Sequence, residues 1–159
     1  MSKTTIYSFD TSALIDWWVR YYPPEILPSL KTNVETVIAE GRLKASRFVL
    51  TELEQGGDEL HEWAKLHKDE IFVEDDEAAQ NIAAPLVRAY SFPANPKRGI
   101  GGADPFVIAR AQLGNPVWTV VSGEKTIDSN NPKIPYVCGK LGMPHLTFRQ
   151  FWQNEGWSF

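Results

Sequence analysis

Four acids stand where chemistry is possible: Asp10 in "TIYSFDTSALID", Glu52 in "FVLTELEQ", Asp104 in "GADPFVIARA" and Glu124 in "TVVSGEKT". Carboxylates gathered at one place repel one another unless a cation neutralises them, and hard divalent ions such as Mg²⁺ and Mn²⁺ take oxygen ligands and keep several waters. A site of that kind can activate a water and stabilise a phosphoryl transition state. Taken singly, each acid has a plainer reading. Asp10 and Asp104 fit helix N-caps, worth about 1 kcal/mol each. Glu52 fits a surface position with Glu54 as its twin, and Glu124 fits a turn. The choice depends on the elements that position them.

Residues 4–9 predict a first strand, with Asp10 or Thr11 capping a helix to about Arg20 that Pro23-Pro24 stops. A helical stripe covers 26–40 and ends at Gly41. Residues 43–46 read as a short extended piece. Residues 48–54 read as a helix closed by Gly56-Gly57, and Asp58 caps another to about His67. A strand is expected at 71–73, then a helix from Asp75 or Asp76 to about Tyr90. The Pro- and Gly-rich stretch 91–103 is loop. Asp104-Pro105 reads as an acid cap followed by Pro at the first helical position, opening a helix to Leu113. The apolar run 117–121 predicts a buried strand. Beyond it come a short strand at Ile134, a helix over 136–141, a strand over 145–147 and a helix over 148–153.

Strands alternating with helices predict a three-layer α/β/α sandwich around a mainly parallel sheet, with 1–159 as one domain. Ligands of such sheets bind beyond the carboxyl ends of the strands. Asp10 and Glu124 each follow a strand closely and so share that edge. Asp104 opens the helix leading to the Glu124 strand. Composition and periodicity alone do not bring all four acids together.

The composition narrows the chemistry further. Of 159 residues, 43% are apolar, enough for a core, and the net charge of −4 argues against coating nucleic acid through bulk charge. An acidic metal site remains compatible with that charge. The three histidines, His61, His67 and His145, are scattered and Cys138 is the single cysteine, so no zinc site has ordinary spacing and no internal disulfide can form. No stretch has the length of a membrane span and no leader pattern is visible, so a soluble cytoplasmic protein is the expectation.

The ordered set "FDTSALID", "VLTELEQ", "GADPFVIARA" and "TVVSGEKT" resembles the PIN-domain ribonucleases, a family that includes the VapC toxins of bacterial toxin–antitoxin pairs. The stretches "DWWVRYYPPEILPS", "DELHEWAK" and "KIPYVCGKLGMPHL" look like one subfamily of bacterial and archaeal PIN proteins. The resemblance covers nearly the whole chain. It implies that Asp10, Glu52, Asp104 and Glu124 act as metal-binding and catalytic acids with Mg²⁺ or Mn²⁺. The substrate would be RNA, and the partners a cognate antitoxin and a second copy of the chain in a homodimer. Ser122-Gly123-Glu124 departs from the family's Thr-x-Asp pattern twice. Ser12, two residues after the first acid, is implied as support for Asp10 or for a metal-bound water, with Ser122 beside Glu124.

Lys97, Arg98 and Lys125 flank the acids in loops and are candidates for phosphate contacts, against ordinary surface charge. Trp17, Trp18, Tyr21 and Tyr22 offer rings for core, for a partner groove or for an unpaired base. Asp16, one or two turns past Asp10, reads as a solvated helix acid, with reach into the cleft as the alternative. Two rivals stand beside the ribonuclease: a PIN fold acting only as an RNA-binding or interaction module, and a haloacid-dehalogenase-type phosphatase. The phosphatase requires a second Asp where this chain has Ser12.

Overall fold

Alternation decides the middle of the molecule. In β1 (Tyr7–Phe9) the side chain of Ser8 points to one face and those of Tyr7 and Phe9 to the other, and all three are buried. The computed structural model describes residues 4–56 and 58–159. In it, β1 lies at the centre of a five-stranded sheet of order β3-β2-β1-β4-β5. The other strands are β2 (Leu43–Ser46), β3 (Phe72–Val73), β4 (Thr119–Val121) and β5 (His145–Leu146), and every pairing is parallel.

Parallel neighbours need crossovers, and helices supply them. Asp10 caps α1 (Thr11–Ile15), which continues as a π-helix over Asp16–Tyr21. α2 (Pro28–Ala39) precedes β2. α3 (Arg47–Gly56), α4 (Glu59–Leu66) and α5 (Lys68–Ile71) lead to β3. α6 (Glu77–Tyr90) and α7 (Asp104–Gln112) lead to β4, α8 (Ile134–Lys140) leads to β5, and α9 (Phe148–Asn154) follows it.

α7 covers β1, β2 and β4, with α6 and α8 packed against it. Ser8 Oγ donates to the Val107 carbonyl of α7 at 2.8 Å, which satisfies a buried hydroxyl on that face. On the other face the rings of Tyr7 and Phe9 meet Phe151 edge-on at 4.7 and 5.0 Å, and Phe148 stacks on Trp17 of the π-helix. Helices on both faces make the three-layer sandwich expected.

The amino edge of the sheet carries its own polar lock. Buried Arg42 forks onto Glu155 at 2.9 and 2.7 Å and also donates to the Thr5 carbonyl, while the Tyr7 hydroxyl donates to Glu155. Burial and the Glu155 carboxylate push the Tyr7 phenol far above its usual range.

Several expected boundaries shift for physical reasons. The buried run begins at Thr119, and Val117 is exposed, because the Trp118 N–H is held by the Ala111 carbonyl at the end of α7. Ile134 opens α8 instead of forming a strand, since Pro135 sits in the first turn, where no N–H is needed. Asp104 is the first residue of α7 and Ala103 its cap. α2 begins at Pro28, leaving Ile26 exposed. Asp16, expected in solvent, is buried and paired with Arg20. The one-turn α5 was not anticipated. Gly57, the second glycine of the expected terminator, lies outside the described residues. Among the described residues no helix is long and apolar enough to cross a membrane.

Candidate active site

Parallel register places the first two acids. Phe9 lies opposite Val121, and the Asp10 N–H donates to the Val121 carbonyl at 2.8 Å. Asp10 leaves β1 and Glu124 leaves β4 at the same carboxyl edge. Asp10 is 3% exposed. Its Oδ2 accepts from the Ser12 hydroxyl at 2.6 Å and from the Ser12 N–H at 3.3 Å. Ser12 Oγ in turn accepts from the Gly123 N–H at 2.9 Å, so one serine ties the first acid to the loop after β4.

Asp10 Oδ1 is buried and, with the neighbouring acids ionised, meets no donor. The group close enough to share a proton with it is the Asp104 carboxyl. The start of α7 aims Asp104 into the edge, and its Oδ2 accepts from the Gly101 N–H at 3.1 Å. Burial, then the Asp10 charge, push Asp104 up to about 9. Burial raises Asp10 too, against the pull of the Ser12 hydroxyl, and the nearby Glu52 charge adds to the rise. Burial and the Asp10 charge likewise raise Glu124.

Glu52 reaches the edge from α3 and braces both neighbours. One oxygen accepts from the Thr11 hydroxyl beside Asp10, and the other from the Ala103 N–H beside Asp104 at 3.2 Å. Gly102, at φ 55°, leaves the space this carboxylate occupies. Glu124 accepts from the Ile134 N–H at the start of α8 at 3.1 Å. Its own N–H donates to Ser122 Oγ, which also contacts His145 Nε2 at 2.7 Å. Burial lowers His145 to about 4, so at neutral pH an unprotonated ring nitrogen can accept the Ser122 hydroxyl proton.

The four acids therefore face one another electrostatically, while Glu52, Asp104 and Glu124 are each also held by a backbone N–H. As the side chains lie, no three His, Cys, Asp or Glu among the described residues are grouped so as to hold a metal ion. The donor set is nonetheless that of a hard cation: oxygen only, mutually repelling, with one buried carboxylate oxygen that no fixed donor meets.

The cations are distributed unevenly. Arg98 donates to the Asn130 carbonyl and lies 4.0 Å over the Phe92 ring, on the rim of an opening of about 390 Å³ that Glu52, Asp104 and Lys133 also line. The Lys97 carbonyl accepts from Lys133 Nζ, and the Lys97 side chain is exposed. Lys125 lines a separate cleft beside Glu124. Cys138 is buried, its thiol pushed up by burial. Trp17 is core, and Trp18 packs on Trp63. Sequence reasoning missed Thr11 as the Glu52 partner, Lys133 at the opening and His145 behind Ser122. Each joins residues far apart in the chain and leaves no local signal.

Residues 7–159 match the family model described as "Domain of unknown function (DUF4411)". Among solved structures, the chain is similar to the crystal structure of VapBC2 from Rickettsia felis bound to a DNA fragment from their promoter. That match has a TM-score of 0.53 at 16% identity, covering 90% of this chain and 98% of that one. The structure of FitAB bound to an IR36 DNA fragment matches with a TM-score of 0.52 at 16% identity, covering 90% and 95%. No curated protein matches the chain. The likeness is one of fold, and the fold is the PIN fold anticipated from the sequence.

Proposed function

The chain belongs to the DUF4411 family, and from that premise we propose that it is a divalent-metal-dependent ribonuclease, the toxin component of a toxin–antitoxin pair. The observation that carries the proposal is the set of acids at the carboxyl edge around Asp10 Oδ1, a buried oxygen that no fixed donor meets and that only the neighbouring Asp104 carboxyl can share a proton with. Asp10, Glu52 and Asp104, with Glu124 assisting, would hold Mg²⁺ or Mn²⁺. Bound there, the ion supplies a water of lowered pKa and neutralises charge on the phosphate.

The chain's own residues do the rest. Ser12 holds one oxygen of Asp10 and so turns the other into the site. Glu52 joins the residues beside Asp10 and Asp104, fixing the distance between the two acids. Ser122, backed by His145, holds the backbone of Glu124. Lys133 and Arg98 line the opening beside Glu52 and Asp104, and Lys125 lines the cleft beside Glu124, where phosphates of a strand would pass. One solved neighbour is VapBC2 on a DNA fragment from their promoter and the other is FitAB on an IR36 DNA fragment, and with the sequence resemblance this supports an antitoxin as the protein partner.

The test is cleavage of a mixed structured RNA in EDTA, Mg²⁺ or Mn²⁺ by wild type, Asp10→Asn and Asp104→Asn. Metal-dependent cutting should fall more than about a hundredfold in each variant, since outer-sphere partners of a metal alone cost about 10–100-fold. Full metal-dependent activity in Asp10→Asn overturns the assignment of the acids. No cutting by wild type with any metal overturns the enzyme, and retained RNA binding would then favour the non-catalytic module.

A further inference from the structure

The acids open on two sides. Beyond Glu52 and Asp104 lies the opening rimmed by Arg98 and Lys133. Beyond Glu124 lies a larger cleft of about 720 Å³, lined by Asp16, Tyr21, Tyr22, Lys125 and Arg149 among others. A strand whose scissile phosphate rests on the acids therefore has one opening beside Glu52 and Asp104 and another beside Glu124. The second cleft is built differently from the first.

Its aromatic wall follows from the π-helix. Trp17 and Tyr21 are four residues apart, so an α-helix would place both on one face. Here the Tyr22 N–H reaches the Trp17 carbonyl, an i→i+5 bond at 3.1 Å that widens the turn. Trp17 stays fully buried, whereas Tyr21 swings out and is 61% exposed. Its ring leans on Tyr22 at 5.9 Å, and Tyr22 is anchored on Trp152 at 4.9 Å and on Phe148. A rigid ring thus backs an exposed one. Lys125 and Arg149 are exposed in the same cleft, and among the described residues neither has an acidic partner. Arg20, by contrast, is paired with Asp16.

We propose that this cleft is a subsite for one unpaired nucleotide next to the scissile phosphate, with Tyr21 as the base platform and Lys125 and Arg149 as the phosphate contacts. The inference rests on the ribonuclease reading and deepens it. Stacking needs a free base face, so the subsite selects single strands over duplex. The cations contact the backbone and position the strand without reading its sequence.

The test uses the full chain and a short single-stranded oligoribonucleotide carrying 2-aminopurine at successive positions, in Ca²⁺ to slow cleavage. In wild type and Tyr21→Phe, one position should be quenched by stacking. Tyr21→Ala should lose that quenching and bind about 5- to 150-fold more weakly, the range for one stacked base. The double variant Lys125→Gln/Arg149→Gln keeps the ring and should lower the slope of log affinity against log salt by about 1.4, roughly 0.7 per phosphate contact on a single strand. If Tyr21→Ala quenches and binds like wild type, or the double variant keeps the wild-type slope, while wild type cuts RNA, the subsite is wrong and the ribonuclease stands. If wild type neither binds nor cuts RNA, both fall.

Discussion

Asp104 is the residue at which the acid cluster is most easily interrogated. Its carboxyl is ordinary in the unfolded chain and raised to about 9 in the metal-free fold by burial and by Asp10. Between about 4 and 9 the folded state therefore holds more protons than the unfolded one. Stability of the metal-free protein falls as pH rises through that window and is recovered as pH falls. Asp104→Asn removes the group that must either take up a proton on folding or stay charged beside Asp10. In EDTA at pH 8 the variant should melt at least about 2 °C above wild type, the shift that roughly 1 kcal/mol gives in a chain of this size. The gap should close toward pH 4, and added Mn²⁺ should reverse the order, because only wild type keeps the ligand. Thermal melts of both proteins across pH, with and without Mn²⁺, read this directly. His145 works with the opposite sign. Its lowered value, about 4, means that the unfolded chain takes up the proton first, so its contribution is lost as pH falls from about 6.5 toward 4. A higher melting temperature for wild type than for Asp104→Asn in EDTA at pH 8 would mean that the two buried acids do not oppose each other.

At the scale of elements, the site is a meeting of α1, α3, α7 and the loop after β4, and Gly123 is where that loop fits. A Cβ at this position would lie 2.5 Å from Asp16 Oδ2 and 3.1 Å from the Ser12 carbonyl oxygen, and the second of these is backbone. Gly123→Ala should push the loop outward, strain the Ser12 bond and shift Glu124. The expected loss is about 1–3 kcal/mol, as for other over-packing changes, with a smaller ion-induced rise in melting temperature. Gly139→Ala in α8, where the new methyl meets nothing within 4 Å, is the control and should be neutral or slightly stabilising. Equal behaviour of the two variants in chemical denaturation would show that the loop does not depend on this fit. The same elements show what a sequence can and cannot reveal. Asp10-Thr11-Ser12 after an apolar run, and Asp104-Pro105 before another, are local signals of strand end and helix start, so both acids were legible in place. Glu52 was not, because its bonds to Thr11 and Ala103 span 41 and 51 residues, and only a family resemblance brought it to the edge. The exposure of Tyr21 was hidden for another reason. A 3.6-residue period puts it with Trp17, and the i→i+5 bond from Tyr22 to Trp17 that widens the turn leaves no mark on that period.

The whole molecule is polarised along its strands. One edge gathers acids that repel, and the opposite edge is closed by Arg42, Glu155 and Tyr7, which attract. β1 joins them over three residues, with Tyr7 at its start and Asp10 directly after its end. A sheet this short has few ladder bonds, so the favourable edge has to hold the strands in register while the other edge tolerates unneutralised charge. Arg42 links the start of β1, through the Thr5 carbonyl, to Glu155 after α9, 113 residues away from Arg42, and so ties the end of the chain to the middle of the sheet. Glu155 is 3% exposed. Removing its carboxylate in Glu155→Ala leaves the Tyr7 hydroxyl without its acceptor and leaves buried Arg42 to the half-exposed Glu40, 2.7 Å away, so the loss should fall at or below the roughly 3–5 kcal/mol of breaking a buried pair from one side. Chemical denaturation should show that loss. Arg42→Met with Glu155→Leu removes both buried charges together and should be less destabilised than Glu155→Ala, since no buried cation is left with a half-exposed partner alone. The ion-induced stabilisation at the acid edge should be the same in the double variant as in wild type, measured as the shift in melting temperature on adding Mn²⁺. A matching loss of that shift would mean that β1 transmits register from one edge to the other, and that the lock at its start helps set where Asp10 stands.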